Sequence, residues 1–336
     1  MPPAKLYEGL SRYIESMIAS GGFAPGEKLP TQRALAAQFG LTQNAVCRAL
    51  KELAGLGLLD LRQGSGCYVR RRVERRGKYN FMVYSHSRHM APTYCGRILS
   101  GMLDRASELG IGLMLNFVDY PDFAGSPLRE READFDAVVL VGLYDSSLAE
   151  FSCRKPCVGV NMHRTFGCLS TLDMDPAAAA DLAVGYLHRK NVRRAVCVSL
   201  PDLDHEGAAR NVFDFRRQCF LAAWDGPAES RFLRETDELA GLARLPEGTG
   251  LWFPGDSYCH RIFREFKKQT GQDLGAAVPL ISNDGRNRID PRMFLFPTIA
   301  PDYRLMGRNA VDEAVRRVEQ PGAPLMRLYQ NVALFE

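Results

Sequence analysis

Long apolar runs are missing from this sequence. The cleanest, such as 137–143, are strand-length, far short of the roughly 20 residues that a membrane span needs, so no membrane association is expected. The opening Met1-Pro-Pro-Ala-Lys5 leads into an amphipathic segment carrying Glu8, Arg12 and Glu15 in place of a signal-peptide core, and the expected compartment is the cytoplasm. Nine cysteines are present but none is spaced C-x-x-C. Cys153 and Cys157 come nearest, without a second Cys or His pair beside them. Reduced, mostly buried thiols are expected in place of a zinc site or a disulfide framework. No G-x-G-x-x-G or G-x-x-x-x-G-K-[ST] follows an apolar run, and neither G-x-S-x-G nor H-E-x-x-H occurs. Nucleotide, serine-hydrolase and zinc-peptidase chemistry therefore lack their residues, and neither cofactor nor metal is expected. The six histidines are dispersed; His86 and His89, three apart, suit pocket or surface polarity better than metal ligation.

What is present divides the chain unequally. At 336 residues it suits a small domain plus a larger one. Residues 1–78 hold 13 Lys and Arg against 6 Asp and Glu, whereas the remainder holds 30 against 33. A small basic unit on a large, slightly acidic one reads as a polyanion-binding head attached to a sensor or an enzyme. The expected division is a head at 1–70, a basic linker at 71–79 and a larger domain at 80–336.

In the head, Leu6, Leu10, Ile14, Met17 and Ile18 recur at helical spacing and predict a helix over about 5–20. Thr31 stands where a second helix would be capped, Gly40 where it would stop, and Thr42 where a third would begin, running to about Leu56. Two helices joined by a tight glycine turn place the second in a DNA major groove. On the third, Val46, Ala49, Leu50 and Leu53 share the inner face, so Asn44, Arg48 and Lys51 point outward with Gln43 and Cys47 on a flank. Leu58–Arg62 and Cys67–Val69 read as two strands around Gln63-Gly-Ser-Gly66, a wing suited to lie along phosphates or a minor groove.

The run Leu29-Pro-Thr-Gln-Arg-Ala-Leu-Ala36, with Gly40-Leu-Thr42, Val46, Ala49-Leu50, Leu53, Gly57-Leu58 and Gln63-Gly-Ser-Gly66, resembles the gluconate-repressor (GntR) type of winged helix over about residues 5–70. By position, the resemblance implies operator contacts at Arg33, Thr42, Gln43, Asn44 and Cys47 and at the wing glycines Gly64 and Gly66. The family usually has arginine at the positions of Gln43 and Cys47 and threonine at Ala45. Gln can read adenine bidentately, but Cys cannot replace a phosphate-binding guanidinium; Arg48, one residue on, is the expected substitute. Gln43, Asn44 and Arg48 are expected to read bases, and Arg33 and Lys51 to hold phosphates. The linker is either a solvated hinge or a strand of nonspecific attraction along the DNA backbone.

From Asn80 onward short apolar runs alternate with amphipathic helices. Phe81–Tyr84, Gly112–Val118, Asp136–Val141, Cys157–Val160 and Ala195–Val198 read as strands, Ile98–Leu109 and Ala177–Leu187 as helices. Such alternation predicts an α/β fold: two lobes, each a doubly wound parallel sheet, with a ligand crevice at the carboxyl ends of the strands.

Asp175 with Ala178–Val184, Arg216-x-x-Cys-Phe-x-x-Ala223, Gly255-Asp256, Ser282-Asn-Asp-Gly285 and Asp302-Tyr-Arg-Leu-Met-Gly307 resemble motifs of the lactose/galactose-repressor family, itself similar to periplasmic sugar-binding proteins. The resemblance implies Arg216 and Asp284 as the main effector contacts, with Asp256 a third. Tyr94 and Trp252 could stack on an apolar sugar face, and His86 ends a strand near the expected cleft. Cys219 stands where glycine is usual, Gly255 where asparagine is, and Ser282-Asn283 where glycine and an aromatic are.

The expected function is a DNA-binding repressor, acting as a homodimer on a pseudo-palindromic operator and controlled by a small polar effector such as a sugar or sugar derivative. The alternative is a DNA-tethered enzyme acting on a small metabolite, although the Schiff-base lysine of aminotransferase fusions is not found.

Overall fold

Side-chain caps start the second and third helices of the computed structural model, which describes residues 7–19, 22–24, 26–70, 78–86, 93–118, 134–143, 155–162, 169–199, 208–233 and 237–336. Helix α1 (Glu8–Ala19) buries Leu10 and Ile14. At the start of α2 (Gln32–Phe39), Thr31 Oγ1 accepts the Ala34 amide at 3.2 Å. Gly40 ends this helix at φ +62°, a conformation glycine adopts without Cβ strain. The Thr42 hydroxyl starts α3 (Gln43–Gly55) in the same way, accepting from Ala45 at 3.3 Å. Val46, Ala49, Leu50 and Leu53 close on Leu10, Ile14 and Leu35. Helices this short are marginal in isolation, so this shared face holds them, at roughly 1.5–3 kcal/mol per large buried aliphatic side chain. The wing is β1 (Leu59–Arg62) paired antiparallel with β2 (Gly66–Val69). The chain at 26–29 joins its edge through the Gly26 amide to Val69 and the Leu29 amide to Cys67, both 2.8 Å.

The two expected parallel sheets are present. The first carries β3 (Asn80–His86), β4 (Gly112–Val118), β5 (Ala137–Val141), β6 (Cys157–Val160), β7 (Ser170–Met174) and β13 (Arg327–Gln330), in the order β13-β7-β6-β5-β3-β4, all parallel. The second carries β8 (Arg194–Ser199), β9 (Ala228–Phe232), β10 (Thr249–Trp252), β11 (Leu280–Asn283), β12 (Thr298–Pro301) and β14 (Val332–Phe335), in the order β14-β12-β11-β10-β8-β9. Here β14 runs antiparallel to β12, which the alternation did not anticipate. Every residue of β5 and β6 is buried, the pattern of strands covered on both faces.

Among the described residues the remaining α-helices are α4 (Tyr94–Leu109), α5 (Pro176–Arg189), α6 (Ala208–Ala223), α7 (Asp256–Thr270), the single turn α8 (Leu274–Ala277) and α9 (Tyr303–Glu319). The chain passes between lobes three times: from β7 into α5, from β12 into α9, and from β13 to β14 with only Asn331 between them. An aspartate caps the helix at each of the first two passages. Asp175 Oδ1 accepts from Ala177 and Ala178 at 3.0 and 3.1 Å, and Asp302 Oδ1 from Leu305 at 2.9 Å.

Helix α9 follows a strand of the second sheet but packs on the first lobe, against α4. The two helices touch through glycine. A Cβ at Gly101 would collide with the Arg304 carbonyl, and one at Gly307 with the Ile98 carbonyl. Arg304–Asp104 (2.7 Å), Arg308–Glu108 (2.7 Å) and Arg105–Asp312 (2.8 Å) line the contact. These pairs are solvent-exposed and individually worth little, so close packing at the glycines sets the geometry. Gly101→Ala is therefore expected to lower unfolding stability by about 2 kcal/mol or more through overpacking. Gly9→Ala, whose Cβ meets nothing in α1, should be neutral or stabilise by about 0.5–1 kcal/mol. Denaturant melts of both variants check the contrast.

Candidate functional site

The head presents its polar residues on one side of α2, α3 and the wing. Arg33, Gln43, Asn44 and Lys51 are exposed and Cys47 is half-buried. The Thr42 hydroxyl is engaged as the α3 cap, so any hydrogen bond it makes to DNA is additional to that one. The Arg48 guanidinium lies over the Tyr7 ring at 5.1 Å, which draws it to the seam between α1 and α3. In the wing, Gly64 and Gly66 adopt φ of +73° and +126°, so the hairpin tip depends on glycine at both positions. Sequence reasoning missed two cations there. Arg62 lies 4.5 Å and Lys28 5.8 Å from the centre of the Tyr68 ring, and the Tyr68 hydroxyl lies 2.8 Å from Ser65 Oγ. The signal was partly legible: Arg62 ends β1 on the face that carries Tyr68 in β2, beside a glycine tip, whereas Lys28 comes from a separate segment.

The second group forms where strands of both sheets end. Arg216, on α6 and only 6% exposed, donates from Nη1 to the Pro254 carbonyl at 2.8 Å. Its Nη2 lies 3.3 Å from Met174 Sδ, and its guanidinium lies over Phe213 at 5.9 Å. Asp284 follows β11 at φ +88°, unusual for a residue with a side chain. Its Oδ1 accepts the Arg286 amide at 3.2 Å, and its carbonyl accepts the Tyr303 hydroxyl at 2.9 Å. Tyr303 stacks on Tyr94 at 5.4 Å. The structure therefore brings Arg216, Asp284 and Tyr94 toward one locus and adds Phe213 and Tyr303, which the sequence reading did not single out. Tyr303 could have been found, because it opens the helix directly after the Asp302 cap.

Two expected contacts are corrected. Trp252 is not available to stack on a sugar: it is 2% exposed, lies parallel to Phe220 at 4.9 Å, and packs with Leu187, Ile281 and Ile299 in the core. Trp252 ends β10, and strand alternation turns its indole onto the helical layer. Asp256 is fully buried, with Oδ1 accepting from the Thr298 hydroxyl at 2.7 Å and Oδ2 from the Asn287 amide at 2.9 Å. Both its oxygens serve the fold, not a ligand. The side chain of His86 lies outside the described residues.

Burial pushes the Asp284 carboxyl up to about 6, against the opposing pull of the Arg216 guanidinium and the Arg286 amide it accepts. Burial, then the charge on Asp284, pushes Asp256 well above the usual carboxylate range. In both cases the native state holds its proton more tightly than the unfolded chain, whose carboxyls titrate near about 4. Stability from these groups is thus highest below the unfolded value and falls as pH rises through the native one. Glu108 and Asp290 behave oppositely. Hydrogen bonds from Arg308 and Arg105 to the first, and from Arg292 to the second, lower each to about 2, so their contribution is lost as pH falls. Thermal melts from pH 4.5 to 7.5 should therefore show melting temperature falling toward neutrality, and Asp284→Asn should shrink that fall. An unchanged slope in the variant removes Asp284 from this account.

Residues 6–69 match the bacterial regulatory proteins of the gntR family. Over 67 residues the chain is 40% identical to the histidine utilization repressor of Klebsiella aerogenes, covering 20% of this chain and 28% of that protein. The chain thus spans less than a third of the length of the curated relatives it matches. A LacI family transcriptional regulator from Enterococcus faecium, solved with bound ribose, aligns with TM-score 0.56 at 14% identity, covering 76% of this chain and 97% of that one. The transcriptional regulator CelR, in complex with cellobiose, aligns with TM-score 0.56 at 17% identity, covering 92% of this chain and 99% of that one. Likeness at such identities concerns the fold. Residues 6–69 are accordingly a winged helix-turn-helix of the gntR family, and the two lobes after them have the fold of LacI-type regulators.

Proposed function

We propose that this chain is a transcriptional repressor whose head, residues 1–70, holds operator DNA, and whose lobes, residues 80–336, bind a small polar effector, a sugar or sugar derivative. The basic stretch 71–79 connects them. The observation that carries the effector half is the convergence of the Arg216 guanidinium, the Asp284 carboxylate and the stacked Tyr94–Tyr303 pair at the carboxyl ends of parallel strands. Donors and acceptors so placed satisfy vicinal hydroxyls, and an aromatic pair offers an apolar wall to a sugar ring.

On the DNA side, Gln43 and Asn44 open the recognition helix and read bases, while Arg33 and Lys51 hold phosphates. Lys28 and Arg62 follow the backbone beside the wing, and Gly64 and Gly66 let its tip approach the minor groove. Arg48, drawn toward Tyr7, is a phosphate contact in this reading more than a base reader. The protein acts as a homodimer on a pseudo-palindromic operator with half-sites about one helical turn apart. To invert a 99:1 population the effector must prefer one lobe arrangement over the other by about 5.5 kcal/mol.

Two measurements test the halves separately. Arg33→Ala should weaken binding to every operator variant alike and reduce the slope of log affinity against log salt by about one; an unaltered slope rejects a phosphate contact. Arg216→Ala should abolish the thermal stabilisation given by sugars while leaving operator affinity intact. A ligand response that survives the substitution would move the effector site elsewhere.

A further inference from the structure

Helices α4 and α9 begin together and end together. Their first residues, Tyr94 and Tyr303, are stacked with ring centres 5.4 Å apart. At 16 and 17 residues, each helix then runs for roughly 25 Å. Both close on one residue. Gly110, which caps the end of α4 at φ +63°, offers its carbonyl to the Lys78 amide at 2.9 Å. Glu319, the last residue of α9, accepts on Oε1 both the Lys78 ammonium at 2.7 Å and the Tyr79 hydroxyl at 3.1 Å.

We infer that Lys78, Tyr79 and Glu319 form a regulatory clamp: they fix the root of the linker to the far end of the α4–α9 pair, so that ligand occupancy at the Tyr94–Tyr303 end alters the hold of the head on operator DNA. The regulatory half of this inference rests on the reading of Arg216, Asp284 and the tyrosine pair as the effector site. The clamp itself stands without it.

Each step of this route is a packed or hydrogen-bonded contact. The Tyr303 hydroxyl donates to the Asp284 carbonyl at 2.9 Å, which ties the start of α9 to the candidate site. Backbone contact at Gly101 and Gly307 keeps the two helices from adjusting separately, and packed elements shift as units. At the far end Tyr79 is seated in the first lobe. Its ring lies parallel to that of buried Phe81 at 6.2 Å, its carbonyl accepts the Gly112 amide at 2.8 Å, and the Lys78 ammonium lies 4.9 Å from its ring centre. Hydrogen bonds from Lys78, then Tyr79, lower the Glu319 carboxyl below its ordinary value, so the acceptor is ionised through the neutral range. The other end of the basic stretch is anchored in the same manner. Arg70 donates from Nε to Asp60 of the wing at 2.9 Å, and its amide to the Leu58 carbonyl at 3.0 Å. A head on an unanchored tether would hold DNA alike whatever the lobes bind, because a flexible chain passes on no orientation.

The test uses the full chain as wild type, Glu319→Ala and Tyr79→Phe. Glu319 and Lys78 are 41% and 64% exposed, so both variants should keep denaturant midpoints close to that of the wild type. Without ligand, endoproteinase Lys-C reads the clamp: cutting between Lys78 and Tyr79 requires the junction to open, and its rate follows the open population. The fragment that begins at Tyr79 should appear at least about threefold faster in Glu319→Ala, the order expected on losing an exposed ion pair and its companion hydrogen bond. An equal rate overturns the clamp. With ligand, the three proteins are titrated onto operator DNA selected with the wild type, with and without saturating D-ribose, D-xylose, L-arabinose, D-glucose or cellobiose. For a sugar that changes wild-type operator affinity, the factor of change should fall at least about threefold in Glu319→Ala and less in Tyr79→Phe, while sugar affinity and ligand-free operator affinity stay within about twofold. An undiminished factor overturns the regulatory role, and so does a wild type that binds a sugar with no change in operator affinity. A wild type that binds none of the five overturns the sugar reading, and the regulatory role with it, while the proteolysis still decides the clamp.

Discussion

The contact of α4 with α9 is the constraint on which much of the larger unit depends. Because Gly101 and Gly307 let backbone meet backbone, two helices that start at the candidate site run together away from it. At the near end are Tyr94 and Tyr303, the latter holding the Asp284 carbonyl. At the far end Glu319 accepts from Lys78 Nζ at 2.7 Å and from the Tyr79 hydroxyl at 3.1 Å, and the Gly110 carbonyl accepts the Lys78 amide at 2.9 Å. Lys78 is the first described residue after the basic stretch 71–77. The pair is thus a stiff, close-packed body with one end in the candidate site and the other at the root of the linker. Packed interfaces shift as units, so a displacement of Asp284 has a short physical route to the point where the head is attached.

The head illustrates how a familiar scaffold can carry unfamiliar chemistry. Its caps, glycine turn and inner face follow the family closely, yet Gln43 and Cys47 remove two cations from the recognition helix. Charge reappears nearby in other forms. Arg62 and Lys28 both lie over the Tyr68 ring, where the ring limits their rotamers and reduces the entropy lost when a phosphate arrives. In the proposed reading, affinity for the DNA backbone is consequently distributed toward the wing, and sequence discrimination falls to Gln43 and Asn44.

What was legible in the sequence was local. Thr31 and Thr42 cap where their neighbours said they should, because a cap is decided within four residues, and Asp175 and Asp302, read only as parts of family motifs, cap as well. The buried strands β5 and β6 were legible as apolar runs for the same reason. What was not legible depended on residues far apart in the chain. The antiparallel return of β14 follows from the last passage between lobes; Trp252 faces inward because Phe220 lies across from it; Asp256 is withdrawn because Thr298 and Asn287 reach it from other elements. Of the candidate site, Arg216 and Asp284 were read from motif resemblance, while Tyr303 and Phe213 became visible only once the elements carrying them had been brought together.

A stability argument alone does not account for this buried polar cluster. Two carboxyls and a guanidinium are nearly removed from water there, one of the carboxyls on a backbone held at φ +88°. Such a turn costs on the order of 1–3 kcal/mol, and replacing buried ion pairs by apolar side chains of similar volume is often neutral or stabilising. An apolar floor would therefore fold at least as well. The polar one is intelligible if a further hydrogen-bonding partner completes it, because Asp284 then performs in the bound state the pairing that its burial denies it with water. In the proposed reading the carboxylate, which already accepts the Arg286 amide, would gain in the bound state the partner that its burial withholds.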